Sequence, residues 1–153
     1  MKCLLCLILC VILSGCAGEQ PDTVQGMGLT YQGTRITIQA PAAPVLEALG
    51  EAKTCTQEPS CAFEGMDKTY FYGSFYLTTY PAQDGERILG LWFADDGIAT
   101  DEGITIGSRR EEVEQAYGAF TGDSCQISGE EAALTVMLEG DAVTGVRYDA
   151  CLE

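Results

Sequence analysis

The most hydrophobic stretch of the chain lies at its start. Residues 3–13 form an unbroken apolar run behind a single basic residue, Lys2. The run is about half the ~20 residues a membrane-spanning helix needs, and it suits the apolar region of an export signal. Residues 17–28 (AGEQPDTVQGMG) are polar, carry Pro and Gly and show no apolar period, so they read as a flexible tether. Beyond them, short apolar segments alternate with turn-forming clusters. Strand-like runs are expected over 69–72, 75–80 and 87–94, and again over 125–128, 132–138 and 143–149. Tight turns at Gly73-Ser74, 81–85, Gly129-Glu130 and 139–141 make neighbouring strands antiparallel.

The pattern also repeats. Displaced by 68 residues, Ile36-Thr37-Ile38 falls on Ile104-Thr105-Ile106, Val45 on Val113, Ala48 on Ala116 and Gly50 on Gly118. Each copy opens with a short extended segment and continues into a helix. The first helix is expected from Ala43 or Pro44 to Leu49, closed by Gly50. In the second, Ser108 is the expected N-cap, Glu111 completes a capping box, and Gly118 ends the helix; Val113, Ala116 and Tyr117 form its apolar stripe. The expected fold is therefore α+β: a tandem repeat of a short helix plus a three-stranded antiparallel meander, with the helices on one sheet face. The chain divides into a lipoprotein signal peptide (1–15), an acylated cysteine with its tether (16–28), repeat 1 (29–98) and repeat 2 (99–153).

Composition narrows the function. The 8 Lys+Arg stand against 23 Asp+Glu, a net charge of −15 over 153 residues. Phosphate backbones need a basic face, so nucleic acid is not an expected partner. There is no His, which removes the commonest general base and a common metal ligand. The eight Cys are informative. Leu13-Ser14-Gly15-Cys16 looks like a bacterial lipobox, small residues before a thiol that takes a diacylglyceryl group. Cys16 is thus the expected lipidation site, with the lipid bilayer as partner and the extracytoplasmic face of the cell membrane as location. Cys3, Cys6 and Cys10 leave with the signal. Cys55, Cys61, Cys125 and Cys151 remain, an even count that favours two disulfides in an exported chain. Of three possible pairings, Cys55–Cys61 with Cys125–Cys151 is preferred. A four-thiolate zinc site is disfavoured because no Cys-x-x-Cys is present.

The segment Gly103-Ile104-Thr105-Ile106-Gly107, with Val113 and Tyr117-Gly118, resembles a group of small lipoproteins from anaerobic Firmicutes. It also resembles the broader superfamily of tandem helix–sheet repeats that includes the β-lactamase-inhibitory proteins and the small lipoprotein of outer-membrane barrel assembly. Cys61-Ala62-Phe63-Glu64-Gly65-Met66-Asp67-Lys68-Thr69-Tyr70 is similar to a stretch of the Firmicute group. The resemblance spans about residues 30 to 150 and its motifs are structural. It implies a binding or scaffolding role without an active site. Inhibition of a β-lactamase does not carry over, because the inhibitors' contact residues are not matched to positions of this sequence.

Strand alternation places Tyr70, Tyr72, Tyr76, Tyr80 and Trp92 on one face of the first sheet, an expected partner-binding surface. Phe71, Leu77, Leu89, Leu91 and Phe93 then face the helices. Large rigid rings bury area at low entropic cost, which suits recognition of a protein or peptide; the plain alternative is that they fill the core. Asp95, Asp96, Asp101 and Glu102 offer oxygen ligands for Ca²⁺, but not with EF-hand spacing. No carboxylate pair is marked for glycoside hydrolysis. Each Ser and Cys lacks a His partner, no Gly-x-Ser-x-Gly elbow or phosphate loop is present, and Lys68 suits an ion pair at a turn better than a Ser–Lys dyad. The expectation is a non-catalytic binding module with no cofactor and no metal. A structural or assembly role in the envelope is the first alternative; a calcium-binding or hydrolase role is the second.

Overall fold

The computed structural model describes residues 26–152. It begins with a hairpin, β1 (Gly28–Tyr31) and β2 (Thr34–Thr37). Gln32 and Gly33 both have positive φ at its two-residue turn, as a hairpin of this length prefers. Helix α1 (Ala42–Leu49) leads to β3 (Thr54–Pro59), β4 (Met66–Phe71), β5 (Phe75–Ala82) and β6 (Gly85–Phe93). A connection without regular structure reaches α2 (Arg110–Tyr117), followed by β7 (Ser124–Ser128), β8 (Ala132–Glu139) and β9 (Ala142–Ala150). Strands β3 to β9 form one antiparallel sheet in the order β3-β4-β5-β6-β9-β8-β7. The tether expected through Gly28 ends earlier, because Ile38 N donates to Met27 O and Gly28 already pairs with Thr37.

This architecture overturns the expected α+β tandem repeat. The described residues are mostly β, 48% strand against 13% helix, with a seven-stranded sheet and only two helices among them. The first half supplies four strands to the sheet instead of three, because the polar segment of β3 pairs along β4 from Thr54–Phe71 to Pro59–Met66. The aligned Ile-Thr-Ile segments also part company. Ile36 and Thr37 lie in β2, whereas Ile104-Thr105-Ile106 forms no strand. Ile104 N donates to Thr100 Oγ1 and Ile104 O accepts from Thr100 N, closing a local loop where the first copy pairs with a neighbour. Helix length gives the physical reason the helices do not form a layer. Eight residues make a rod of about 12 Å, while seven strands span about 29 Å.

The covered side of the sheet therefore takes its lid from several sources. Leu29, Ile36 and Ile38 from the hairpin region, Val45 from α1, Ile98 and Ile104 from the connection and Val113 from α2 are all buried there. From the sheet come Phe75, Leu77, Ile88, Leu91, Leu134, Val136, Val146 and Tyr148. Gly50 and Gly118 end the helices as expected, each with positive φ and its N–H on a carbonyl four residues back. The α2 N-cap is Arg109 and not Ser108: Glu112 accepts from Arg109 N at 2.6 Å, while Ser108 Oγ accepts from Thr105 N at 3.1 Å.

Among the described residues no cysteine pair is at disulfide distance, and Cys55, Cys61, Cys125 and Cys151 are free in this structure. Cys125 is opposite Val136, and Cys151 follows Ala150, which is opposite Ala132. Four residues of strand separate those positions, about 13 Å, well past the ~7 Å Cα separation a bridge tolerates. Cys55 sits four residues back from Pro59 along β3, away from the turn that carries Cys61.

Candidate functional site

The other side of the sheet is uncovered, and its residues are set by strand register. One row runs Thr54, Phe71, Tyr76, Trp92, Arg147, Thr135, Gln126 across all seven strands. Phe71 and Tyr76 stack with centroids 4.6 Å apart, and the Arg147 guanidinium lies 5.3 Å from the Trp92 ring centroid. Tyr76 and Trp92 are each 37% exposed, a large fraction for rings of this size. Arg147 Nε donates to Asp149 Oδ1 at 2.6 Å, which holds the guanidinium beside the indole.

The adjacent row runs Thr56, Thr69, Thr78, Gly90, Asp149, Ala133, Ser128. Gly90 leaves this row without a side chain at its centre. A groove of about 320 Å³ lies alongside, lined by Glu58, Asp67, Thr78, Leu89, Trp92 and Asp149 among others. Glu58 and Asp67 are direct cross-strand neighbours, a like-charge arrangement that destabilises a sheet in isolation. Asp67 Oδ1 is buried and accepts no hydrogen bond from a described residue. The groove thus combines an aromatic wall, hydroxyls and an excess of negative charge over the one cation, Arg147.

Of the five rings expected on this surface, the structure brings two together there. Tyr76 and Trp92 are directly opposite each other on β5 and β6. Tyr70 is opposite Leu77 and, with Tyr72, packs against the core; burial pushes both phenols above their usual value. Tyr72 lies beyond the end of β4 and stacks on Phe75, so strand alternation does not apply to it. Tyr80 keeps the alternation of Tyr76 but is 5% exposed, roofed by Phe63 at 4.9 Å. Phe71, expected toward the helices, takes the place of Tyr70 on the open face. The facing of β4 differs by one residue from the expected alternation, and one residue inverts every side chain of a strand. Leu89 also changes sides: Thr78 pairs with Gly90 and Thr79 with Ile88, so Leu89 is the extra residue of a bulge and lines the groove.

Arg147 and Asp149 were missed by sequence reasoning. Their signal was present, as an i, i+2 polar pair in a strand otherwise alternating with Val146 and Tyr148. The acidic run disperses: Asp95 accepts from Gly97 N, Asp101 pairs with Arg35 and accepts from Thr30 N, and Glu102 accepts from the Tyr117 hydroxyl at 2.7 Å. No group of three metal-ligating side chains is found among the described residues. Lys68, expected to pair at a turn, forms its ion pair from within β4 with Glu86, the second residue of β6. Cys16 lies outside the described residues. No protein family, curated protein or solved structure matches this chain.

Proposed function

We propose that this chain is an exported lipoprotein, anchored through acylated Cys16 on the extracytoplasmic face of the cell membrane, that binds an extended segment of a partner protein on its open sheet face. The observation that carries the reading is the uncovered row Phe71, Tyr76, Trp92 with its stacked Arg147. Rigid aromatic surface supplies most of the area, and the hydroxyl row beside it supplies adaptable hydrogen bonds. Charge complementarity selects the occupant. Glu58, Asp67 and Asp149 outnumber Arg147 around the groove, and the whole chain carries −15, so the bound segment is basic. The role is binding and not catalysis.

The test is crosslinked recovery from native envelopes with the full chain, beside a Tyr76→Ala/Trp92→Ala variant shown to be folded by circular dichroism. The expected result is a basic extracytoplasmic segment held by the native chain, released by raised salt and lost in the variant. Equal recovery by both chains overturns the sheet-face reading. The anchor is tested apart from it: Cys16→Ser should abolish labelling by a fatty acid and release the chain from the membrane fraction.

A further inference from the structure

The two outer edges of the seven-stranded sheet, β3 and β7, differ in what their backbones offer. In an antiparallel ladder, alternate residues turn their N–H and C=O groups toward the neighbour and the rest turn theirs away. Ser60 N donates to Gly65 O, so Glu58, Thr56 and Thr54 bond toward β4, while Cys55, Gln57 and Pro59 face outward. Pro59 has no N–H to offer, and Glu58 puts a charge on the same strand. Both features stop a sheet from growing at that edge.

The β7 edge has neither guard. Gly129 N donates to Ala132 O and Leu138 N to Asp123 O, so Cys125 and Ile127 bond toward β8. Ser124, Gln126 and Ser128 therefore present their N–H and C=O groups outward, and no described residue bonds to them. All three side chains are exposed, and β7 contains no Pro and no charged residue. The edge also reads the same in both directions about Gln126. A two-fold axis there sets Ser124 against Ser128 of a second copy and Gln126 against its own counterpart. Hydroxyl then meets hydroxyl and amide meets amide on the open side. On the covered side, Ile127 is only partly buried in one copy and gains a neighbour in Cys125 of the other. Charge selects the same place. A chain carrying −15 is repelled from a copy of itself over most of its surface, and β7 is an uncharged edge.

We infer that β7 pairs antiparallel with β7 of a second copy of this chain, joining the two sheets into one across a two-fold axis at Gln126. Ser124, Gln126 and Ser128 each exchange both backbone bonds with their opposite number. The aromatic row of the open face stays free in this dimer, so the pairing does not depend on that face having a partner.

Disulfide trapping tests it on the full chain. In a Cys55→Ser/Cys61→Ser/Cys151→Ser background, which removes the exposed thiols, Gln126→Cys and Ser124→Cys are oxidised with copper phenanthroline and run on a non-reducing gel; the background alone is the blank. At the two-fold axis, position 126 lies about 5.5 Å from its counterpart between Cα atoms, inside the ~4.4–6.8 Å that a disulfide spans. Position 124 lies four residues along the strand from its counterpart, about 13 Å, and does not bridge. The expected result is a band of doubled mass for Gln126→Cys and none above the blank for Ser124→Cys. Raised salt screens Asp123, Glu130 and Glu131, which the pairing gathers at the strand ends, and should increase the yield, the reverse of its effect on a basic segment held by the open face. Tyr76→Ala/Trp92→Ala should leave the band unchanged. Gln126→Pro removes only an outward N–H and should abolish the dimer seen by sedimentation of the native chain. No doubled band, equal bands from both positions, loss of the band in the aromatic variant, or a crosslinked product of any other mass would overturn the inference.

Discussion

Replacing Gly90 by Ala probes the seam that makes one sheet out of two groups of strands. Strands β6 and β9 pair over only three positions, Gly90–Asp149, Leu91–Tyr148 and Trp92–Arg147, yet they are the sole link between β3–β6 and β7–β9 within the sheet. Gly90 is not at positive φ. On backbone conformation alone, Gly90→Ala should stabilise by about 0.4–1 kcal/mol, because Ala has less unfolded-state entropy to lose. The environment reverses that sign. A Cβ at Gly90 would stand 2.7 Å from Tyr148 O, a backbone atom of the paired strand, and 3.4 Å from Thr78 Oγ1. Relief requires moving β6 away from β9, an overpacking cost of about 1–3 kcal/mol. The net expectation is destabilisation by about 1–2 kcal/mol, a lowering of the melting midpoint by about 3–6 °C for a domain of this size. Thermal and urea unfolding followed by far-UV circular dichroism measure it, with an unchanged urea slope showing that the folded state is otherwise kept. A variant as stable as the native chain, or more so, would refute the close approach of β6 to β9.

Two further outcomes follow from the same packing. Burial pushes the Tyr117 and Tyr148 phenols above the usual 10.0 and the Cys125 thiol above 9.0. These groups hold their protons more tightly folded than unfolded, so their contribution is present below about pH 9 and is lost as pH rises through the folded values. The urea midpoint should therefore fall above about pH 9–10, and Tyr148→Phe should flatten the decline; a flat or rising native profile contradicts the burial. Iodoacetamide should modify Cys55, Cys61 and Cys151 quickly in the native chain and Cys125 only on unfolding, since three thiols are exposed and the fourth is 5% exposed. A Cys125–Cys151 bridge in a non-reducing peptide map would contradict the β7–β8–β9 register.

Local chemistry explains which elements were legible from sequence. Periodicity and end signals located both helices to within a residue or two, because Gly50 and Gly118 supply the positive φ that a helix end needs. The β5–β6 and β8–β9 hairpins were equally plain, marked by Gln83-Asp84-Gly85 and Gly140-Asp141 between strongly apolar strands. Strand β3 was not legible. Its sequence Thr-Cys-Thr-Gln-Glu-Pro is exposed at every position, so no hydrophobic alternation exists to betray it. It is a strand because β4 offers an unpaired edge, a fact about the neighbour and not about the segment. On the candidate binding face, sequence placed Tyr76 and Trp92 together but put Tyr70 and Tyr72 where Phe71 belongs.

What the sequence determined by itself was therefore local: turn positions, helix ends, the apolar content of the central strands and the acidic balance. Each depends on residues within a few positions of one another, where backbone sterics and side-chain chemistry decide the outcome. The tertiary structure alone decided that four strands and three strands merge through β6 and β9 into one sheet. It alone decided which face of β4 meets solvent, and that Tyr80 is roofed by Phe63. Those outcomes rest on pairings between distant segments, and a one-residue change of register exchanges the buried and exposed sets of a whole strand.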